Sequence, residues 1–136
     1  MMNEQLDAAI KEFLDLEDPM EKYELLFEYA DELDELETSF WSDETRVSGC
    51  QSEVHILLKF SENTGAHLRG AADAMIMQGL ISLIAIALEG LLPEEVANFE
   101  PTFLETIGIQ NSLTPSRSNG LRSLIRTIQD IGKMAI

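Results

Sequence analysis

The strongest constraint on the fold is a nearly continuous apolar stretch at residues 71–88, interrupted by Asp73 and Gln78. A helix that is apolar around its whole circumference has to be buried, because none of its faces suits water. The two polar residues argue against a membrane span, and the many Ala, Gly and Met residues favour a core helix. We therefore predict a central core helix that is capped by Asp73 and runs to about Glu89, where Gly90 ends it.

Two amphipathic helices are predicted ahead of this core helix. Apolar residues recur at helical spacing, with acids between them, over about residues 3–16. Asp18 followed by Pro19 is typical of a helix start, in which a carboxylate caps the helix and proline occupies its first turn. The same periodicity then predicts a second helix that ends at about Leu36.

A β-hairpin is predicted between residues 54 and 70. Alternating apolar residues on either side of a polar turn at residues 61–65 indicate two antiparallel strands with one buried face. This alternation places His55 and His67 on the more polar face, where we expect both to be exposed. Because two strands alone are only marginally stable, we expect residues 46–47 to add a third strand at the edge.

The remaining helices complete an α+β pattern. Short helices are predicted from Pro93 and over residues 101–107, and a last amphipathic helix follows the start signal Thr114-Pro115. We therefore predict a small antiparallel sheet of about three strands with helices packed on one side. The 136-residue length fits a single domain that spans residues 1–136.

The charge distribution limits the classes of partner. The chain has a formal net charge of −16, and residues 1–45 contain 16 acids against two lysines. Such a field repels nucleic acid and anionic membranes, and it would suit a partner with a basic docking surface. No basic segment followed by an apolar stretch opens the sequence, so we expect no secretory signal and a cytoplasmic location.

The single cysteine, Cys50, is the main candidate for chemistry. One cysteine cannot form an internal disulfide, and it argues against a cysteine-ligated zinc or iron–sulfur site. A lone cysteine is more often a small buried apolar residue than a nucleophile, but Cys50 lies in a polar setting just after the flexible Gly49. A protein that relays sulfur needs only one reactive thiolate. A nearby cation such as Arg46 or Arg117 would lower the pKa of the Cys50 thiol.

Three segments together resemble the SufE family. Residues 46–54, Arg-Val-Ser-Gly-Cys-Gln-Ser-Glu-Val, resemble the family's sulfur-acceptor signature. Residues 70–74 with 79–81 are similar to its Gly-x-Ser-Asp-Ala…Gly-Leu pattern, and residues 113–121 are similar to its Leu-x-Pro-Ser-Arg-x-Asn-Gly-Leu motif. The segments occur in the family order at compatible spacing, so the resemblance covers essentially the whole chain.

The resemblance implies a sulfur carrier rather than a stand-alone enzyme. It implies that Cys50 accepts sulfur from a pyridoxal-phosphate-dependent group II cysteine desulfurase, SufS-like or CsdA-like, stimulates that enzyme and passes the sulfur to an iron–sulfur scaffold. The acceptor loop would include Gly49, Gln51 and Ser52, with possible support from Asp73 and Arg117, and all of these are candidate site residues. The implied carrier holds no cofactor or metal of its own, and we expect a monomer or a weak homodimer.

Several alternatives remain open from the sequence. The chain could be an adaptor that binds and stimulates the desulfurase without taking sulfur. Cys50 with His55 could form a hydrolase nucleophile, although no group that would orient the histidine is obvious. His55 with His67 lacks a third metal ligand. The chain also departs from the family at His55, where many relatives have an aromatic residue, at Ala72 and at Leu92.

Overall fold

The computed structural model describes residues 3–109 and 113–136, and over these ranges the chain forms helices before and after a single β-hairpin. Its elements, in chain order, are α1 (Glu4–Leu14), α2 (Pro19–Glu32), a 3₁₀ turn (Thr38–Phe40), β1 (Val54–Ser61), β2 (Gly65–Ala72), α3 (Met75–Leu88), α4 (Pro93–Ala97), α5 (Phe103–Thr106) and α6 (Pro115–Ala135).

Helix α3 is the central helix of the core, as its apolar sequence predicts. Eleven of its 14 residues are buried. It packs closely on both neighbours: a Cβ added at Gly79 would lie 2.5 Å from the Leu26 carbonyl oxygen of α2, and one added at Gly70 of β2 would lie 2.9 Å from Ile81. Helix α3 therefore separates the N-terminal helices from the sheet.

The predicted cap of α3 is wrong. Ala74 occupies the N-cap position without a side-chain hydrogen bond, and the Asp73 side chain is exposed. Strand β2 continues to Ala72, and the Asp73 amide donates to the Glu53 carbonyl oxygen at 3.1 Å. Because Asp73 is still held beside the hairpin, the helix starts one residue further on.

The sheet is antiparallel, with Leu58 opposite Leu68 and Ile56 opposite Gly70. The side chains that share the buried face come from both strands: Val54, Ile56, Leu58, Ala66 and Leu68. Helix α3 covers this face, which confirms the α+β class with helices packed on one side of the sheet.

Within the described ranges the sheet has two strands, whereas the sequence predicted about three. Arg46 forms only an isolated antiparallel bridge to His55. The chain cannot continue as a strand there because it turns at residues 48–49, where Gly49 has a φ of +89°. A second isolated bridge, parallel, joins Glu35 to Gly70 on the other edge.

Helix α2 ends at Glu32, four residues earlier than predicted. Leu33 has an extended ψ of 137°, which takes the chain out of the helix. The next residues run beside β2, where the Leu36 amide donates to the Gly70 carbonyl oxygen at 2.9 Å and the Gly70 amide donates to the Asp34 carbonyl oxygen at 3.3 Å. Pairing with the sheet therefore replaces the last predicted helical turn.

The other predicted helix boundaries are confirmed to within a few residues. Asp18 accepts a hydrogen bond from the Met20 amide, with Pro19 in the first turn of α2. Thr114 caps α6 by accepting from the Arg117 amide. At α4, Leu92 has no side chain that can cap, but the Glu95 carboxylate accepts from the Leu92 amide at 2.9 Å.

Helix α6 is amphipathic; its N-terminal half lies against the loop that contains Cys50, and its C-terminal end packs on α4. A Cβ added at Gly132 would lie 2.5 Å from the Ala97 amide nitrogen, so α6 and α4 touch through their backbones.

Across residues 3–109 and 113–136, no helix combines the length and the apolar character that crossing a bilayer would require.

Candidate functional site

Cys50 lies in a loop that connects the end of the Arg46 bridge to β1. The loop is closed at its base by a hydrogen bond of 2.8 Å from the Val47 amide to the Val54 carbonyl oxygen. Gly49 has a φ of +89°, a conformation that other residues rarely adopt. A Cβ at Gly49 would also lie 2.6 Å from the Ser123 hydroxyl, so the loop rests directly on α6.

The Cys50 thiol is half-buried against the N-terminal half of α6. Its Sγ donates a long hydrogen bond of 3.6 Å to the Gly120 carbonyl oxygen. A Cβ at Gly120 would lie 3.3 Å from Sγ and 3.8 Å from the Met77 methyl carbon. The missing side chain of Gly120 therefore provides the space that the thiol occupies.

A cavity of about 80 Å³ adjoins the thiol. Its lining comes from the loop that contains Cys50, from α3 and from α6: Cys50, Gln51, Ser52, Met77, Ser116, Arg117 and Gly120. The structure thus brings four of the predicted site residues, Cys50, Gln51, Ser52 and Arg117, to one cavity. Gly49 lies beside it in the same loop, whereas Asp73 is not among the lining residues.

Burial raises the pKa of the Cys50 thiol, and the charge of Arg46 offsets only part of that increase. From the sequence, nearby cations were expected to lower the pKa of Cys50. Arg46 does act in that direction, but removing the thiol from water is the larger effect. In this position of the loop, burial disfavours the thiolate relative to the thiol.

Arg117 is held in the first turn of α6, beside the cavity. Its Nη1 atom is buried and forms no hydrogen bond with the described residues. A buried guanidinium nitrogen without an acceptor is costly, so an acceptor or an anion in the cavity would be favoured there.

His55 is buried, which contradicts the prediction that it is exposed. It is only 3% exposed because the Trp41 ring stacks on it, with a centroid distance of 4.4 Å and an interplanar angle of 15°. Its Nδ1 lies 2.7 Å from the Thr45 hydroxyl and its Nε2 lies 2.8 Å from the Glu53 carboxylate. Both ring nitrogens are therefore engaged, and this geometry does not supply the base that a Cys50–His55 hydrolase would need.

His67 is partly exposed on the polar face of the sheet, as predicted. It lies between two carboxylates, with Nε2 2.7 Å from Asp34 and Nδ1 2.8 Å from Glu89. These hydrogen bonds, first the one to Asp34, raise the pKa of His67. In the described part of the chain, no group of three or more His, Cys, Asp or Glu side chains is arranged to hold a metal ion.

Gly120, Ser123, Met77 and Trp41 shape the loop or its surroundings, although none of them was among the predicted site residues. A signal for Gly120 was available, because glycine weakens a helix interior and usually has a packing reason when it occurs there. The contacts of Met77 and Ser123 follow only from how α3 and α6 pack, so no local pattern could reveal them.

Comparison with known proteins identifies the family. Residues 7–131 match the family model described as "SufE: Fe-S metabolism associated domain". A SufE-like protein 1 of Arabidopsis thaliana, described as chloroplastic/mitochondrial, is 32% identical over 92% of this chain, which spans only 34% of that protein's length. An uncharacterised SufE-like protein of Synechocystis sp. is 32% identical over 91% of this chain and 77% of its own length.

A solved structure has the same fold. The solution structure of a hypothetical protein from Thermus thermophilus superposes with a TM-score of 0.77 and 24% identity, covering 99% of this chain and 98% of that one. The match to the family model extends over nearly the entire sequence and includes the cysteine loop, α3 and most of α6. The chain therefore belongs to the SufE family of domains associated with iron–sulfur metabolism.

Proposed function

We propose that this protein is a sulfur carrier whose Cys50 takes sulfur from a pyridoxal-phosphate-dependent group II cysteine desulfurase and passes it to a scaffold for iron–sulfur cluster assembly. The observation that carries the proposal is the setting of Cys50, a single thiol in a loop that rests over a small cavity. Family membership supports the link with iron–sulfur metabolism.

The proposed reaction is a sulfur exchange without net oxidation. The Cys50 thiolate attacks the outer sulfur of a persulfide on the desulfurase, a new S–S bond forms on Cys50, and the S–S bond on the enzyme breaks. The enzyme's cysteine leaves as a thiolate, which takes up the proton that Cys50 lost. Because this step frees the enzyme for its next turnover, sulfur acceptance would also stimulate it.

The cavity is large enough to shelter the product. A cavity of about 10–15 Å³ is enough to hold one water, and an added sulfur atom is of similar size. The cavity volume of about 80 Å³ therefore accommodates the outer sulfur of a Cys50 persulfide. Nη1 of Arg117, which has no acceptor among the described residues, would donate to that sulfur when it is negatively charged, and this is the supporting role that we propose for Arg117.

The position of the Cys50 thiol, buried or solvated, would distinguish a stored thiol from a reactive one. A buried thiol with a raised pKa reacts slowly, whereas a solvated thiol regains its ordinary pKa. Movement of the loop out of the cavity would therefore activate Cys50 only when a partner receives it.

We propose a cytoplasmic location, because a lone thiol that must stay reduced suits a reducing compartment.

The test is the intact mass of the protein after incubation with a group II cysteine desulfurase and cysteine, without reductant. We expect a gain of about 32 Da, one sulfur atom at the persulfide level, that maps to Cys50 and is absent in Cys50→Ser. Cys50→Ser should also abolish stimulation of the desulfurase. Stimulation that persists in Cys50→Ser, with no mass gain in the unmodified protein, would instead identify an adaptor.

A further inference from the structure

Four side chains meet where the acceptor loop joins the rest of the protein, and the proposed function gives none of them a role. Trp41 stacks on the buried ring of His55, and its Nε1 donates to the Leu36 carbonyl oxygen at 2.9 Å. Two contacts therefore hold Trp41, and its ring covers His55, the second residue of β1.

Glu53, the last residue of the loop, contacts both the segment that enters the loop, at Arg46, and the strand that leaves it, at His55. One carboxylate oxygen lies 2.8 Å from Nε2 of His55, and the other lies 3.7 Å from Nη2 of Arg46. The Glu53 carbonyl oxygen also accepts from the Asp73 amide. The ion pair with Arg46 is exposed and therefore weak, so the contacts of His55 carry most of the stabilisation.

Backbone hydrogen bonds close the loop at the same level. The Val47 amide donates to Val54 at 2.8 Å, and the Ile56 amide donates to Thr45 at 2.9 Å. The Thr45 hydroxyl, in turn, lies 2.7 Å from Nδ1 of His55. The buried imidazole thus links the entering and leaving chains through its two nitrogens and one ring face.

The tip of the loop, residues 48–52, is held far less firmly. Among the described residues, the tip forms a single hydrogen bond with the rest of the chain, the 3.6 Å contact from the Cys50 thiol to Gly120. A segment with few contacts opens at a lower free energy than the well-bonded structure that flanks it. The tip, rather than the hydrogen-bonded residues that flank it, is therefore the part of the loop that moves.

We propose that Trp41, Arg46, Glu53 and His55 form a clamp that fixes both ends of the acceptor loop and confines its movement to the tip. The inference rests on the proposed function, because it concerns how the thiol reaches a sulfur donor. Cys50 is three residues after Val47, so its Cα can move no further than about 10 Å from that anchor. The clamp residues are positioning residues: they set the reach of the thiol and do not touch the sulfur.

The clamp predicts that the tip can leave the cavity while the base stays closed. Alkylation of Cys50 in the isolated protein with iodoacetamide enlarges the side chain and displaces the tip. Amide hydrogen exchange, followed by NMR, then reports on the base at Val47 and Ile56. In the otherwise unchanged protein we expect alkylation to alter the protection of these amides by less than about twofold, because the clamp contacts remain intact.

Trp41→Ala should open the base. Loss of the ring stack predicts that protection of the Val47 and Ile56 amides falls by about three- to tenfold. Protection of Ile84 in the core of α3 should be unchanged, which separates local opening from global destabilisation. Phe40→Ala is the matched control, since Phe40 is the adjacent aromatic residue and is 58% exposed. Trp41→Phe, which keeps an aromatic ring, should restore most of the protection.

Glu53→Ala is a second variant that leaves the core intact, and it should lower protection of the same amides to a smaller extent. The inference is overturned if alkylation alone abolishes protection at the base, or if Trp41→Ala and Phe40→Ala have equal effects. None of these measurements uses a desulfurase, so their failure would leave the proposed function standing. Absence of the 32 Da gain would refute sulfur acceptance without touching the clamp.

Discussion

Gly120 is the position where a single methyl group most directly tests how the thiol is stored. In Gly120→Ala the new Cβ would lie 3.3 Å from Sγ of Cys50 and 3.8 Å from its Cβ. Carbon atoms in optimal contact are about 3.5–4.0 Å apart, so the sulfur has to yield by a few tenths of an ångström. Because one long hydrogen bond is all that joins the tip of the loop to the other described residues, we expect the loop to move rather than α6.

Two opposing contributions set the magnitude for Gly120→Ala. Alanine in a helix interior is favoured over glycine by about 0.8–1.0 kcal/mol. Crowding in a rigid site would cost about 1–3 kcal/mol, but a movable loop avoids most of that cost. We therefore expect the free energy of unfolding to stay within about 1 kcal/mol of the unmodified protein. Losing the contacts of the thiol, including a hydrogen bond of about 1 kcal/mol, predicts roughly fivefold faster alkylation of Cys50.

The assay combines urea unfolding with the rate of Cys50 alkylation by iodoacetamide at fixed pH. Asn119→Ala is the matched control, because this exposed residue of α6 gains the helix preference of alanine without facing the thiol. The alkylation pH profile of Gly120→Ala should shift to lower pH, since less burial lowers the pKa of Cys50. A loss of stability above about 2 kcal/mol with unchanged alkylation would refute the reasoning, because it would show a loop too rigid to yield.

Three further predictions concern the scaffold around the site. Gly79→Ala should destabilise the protein by about 2 kcal/mol or more in urea unfolding, because the new Cβ would lie 2.5 Å from a backbone oxygen, that of Leu26; a neutral result would show that α2 and α3 can separate. Hydrogen bonds to Asp34 and a second carboxylate raise the pKa of His67, so its contribution to stability is fully present below its unfolded pKa of about 6.5 and is lost as pH rises through the folded value. His67→Gln should therefore lose less stability than the unmodified protein between pH 6 and pH 8, and an unchanged pH dependence would contradict this. Burial and then a hydrogen bond raise the pKa of Tyr29, so ultraviolet titration should show one of the two tyrosines ionising well above pH 10, and Tyr29→Phe should remove that late transition.

Local sequence patterns were sufficient where one segment determines its own structure. The proline-led starts of α2 and α6 follow from a capping residue and a fixed φ angle, and both are found where they were predicted. The apolar circumference of α3 required burial and is buried. The position of Arg117 beside Cys50 was suggested by family motifs, since periodicity alone places no residue of α6 near the loop.

The errors arise where distant segments compete or cover one another. Alternation placed His55 on the polar face of the sheet, but periodicity cannot show that Trp41, 14 residues earlier, folds over that face. Asp73 is a residue type that often caps helices, yet its backbone amide donates a hydrogen bond to the carbonyl oxygen of Glu53, just before β1. Burial raises the pKa of Cys50 and the charge of Arg46 lowers it, and only the packed structure decides which effect is larger.

The two isolated bridges have a consequence for how the protein behaves in concentrated solution. A two-stranded sheet exposes unpaired amides and carbonyls along both outer strands, which other chains can use to extend it into aggregates. Here the backbone of residues 34–36 pairs with β2 at Gly70, and residues 45–47 pair with β1 at Val54 and Ile56. These two short segments thus occupy hydrogen-bonding positions on both edges and protect a very small sheet from intermolecular β-pairing.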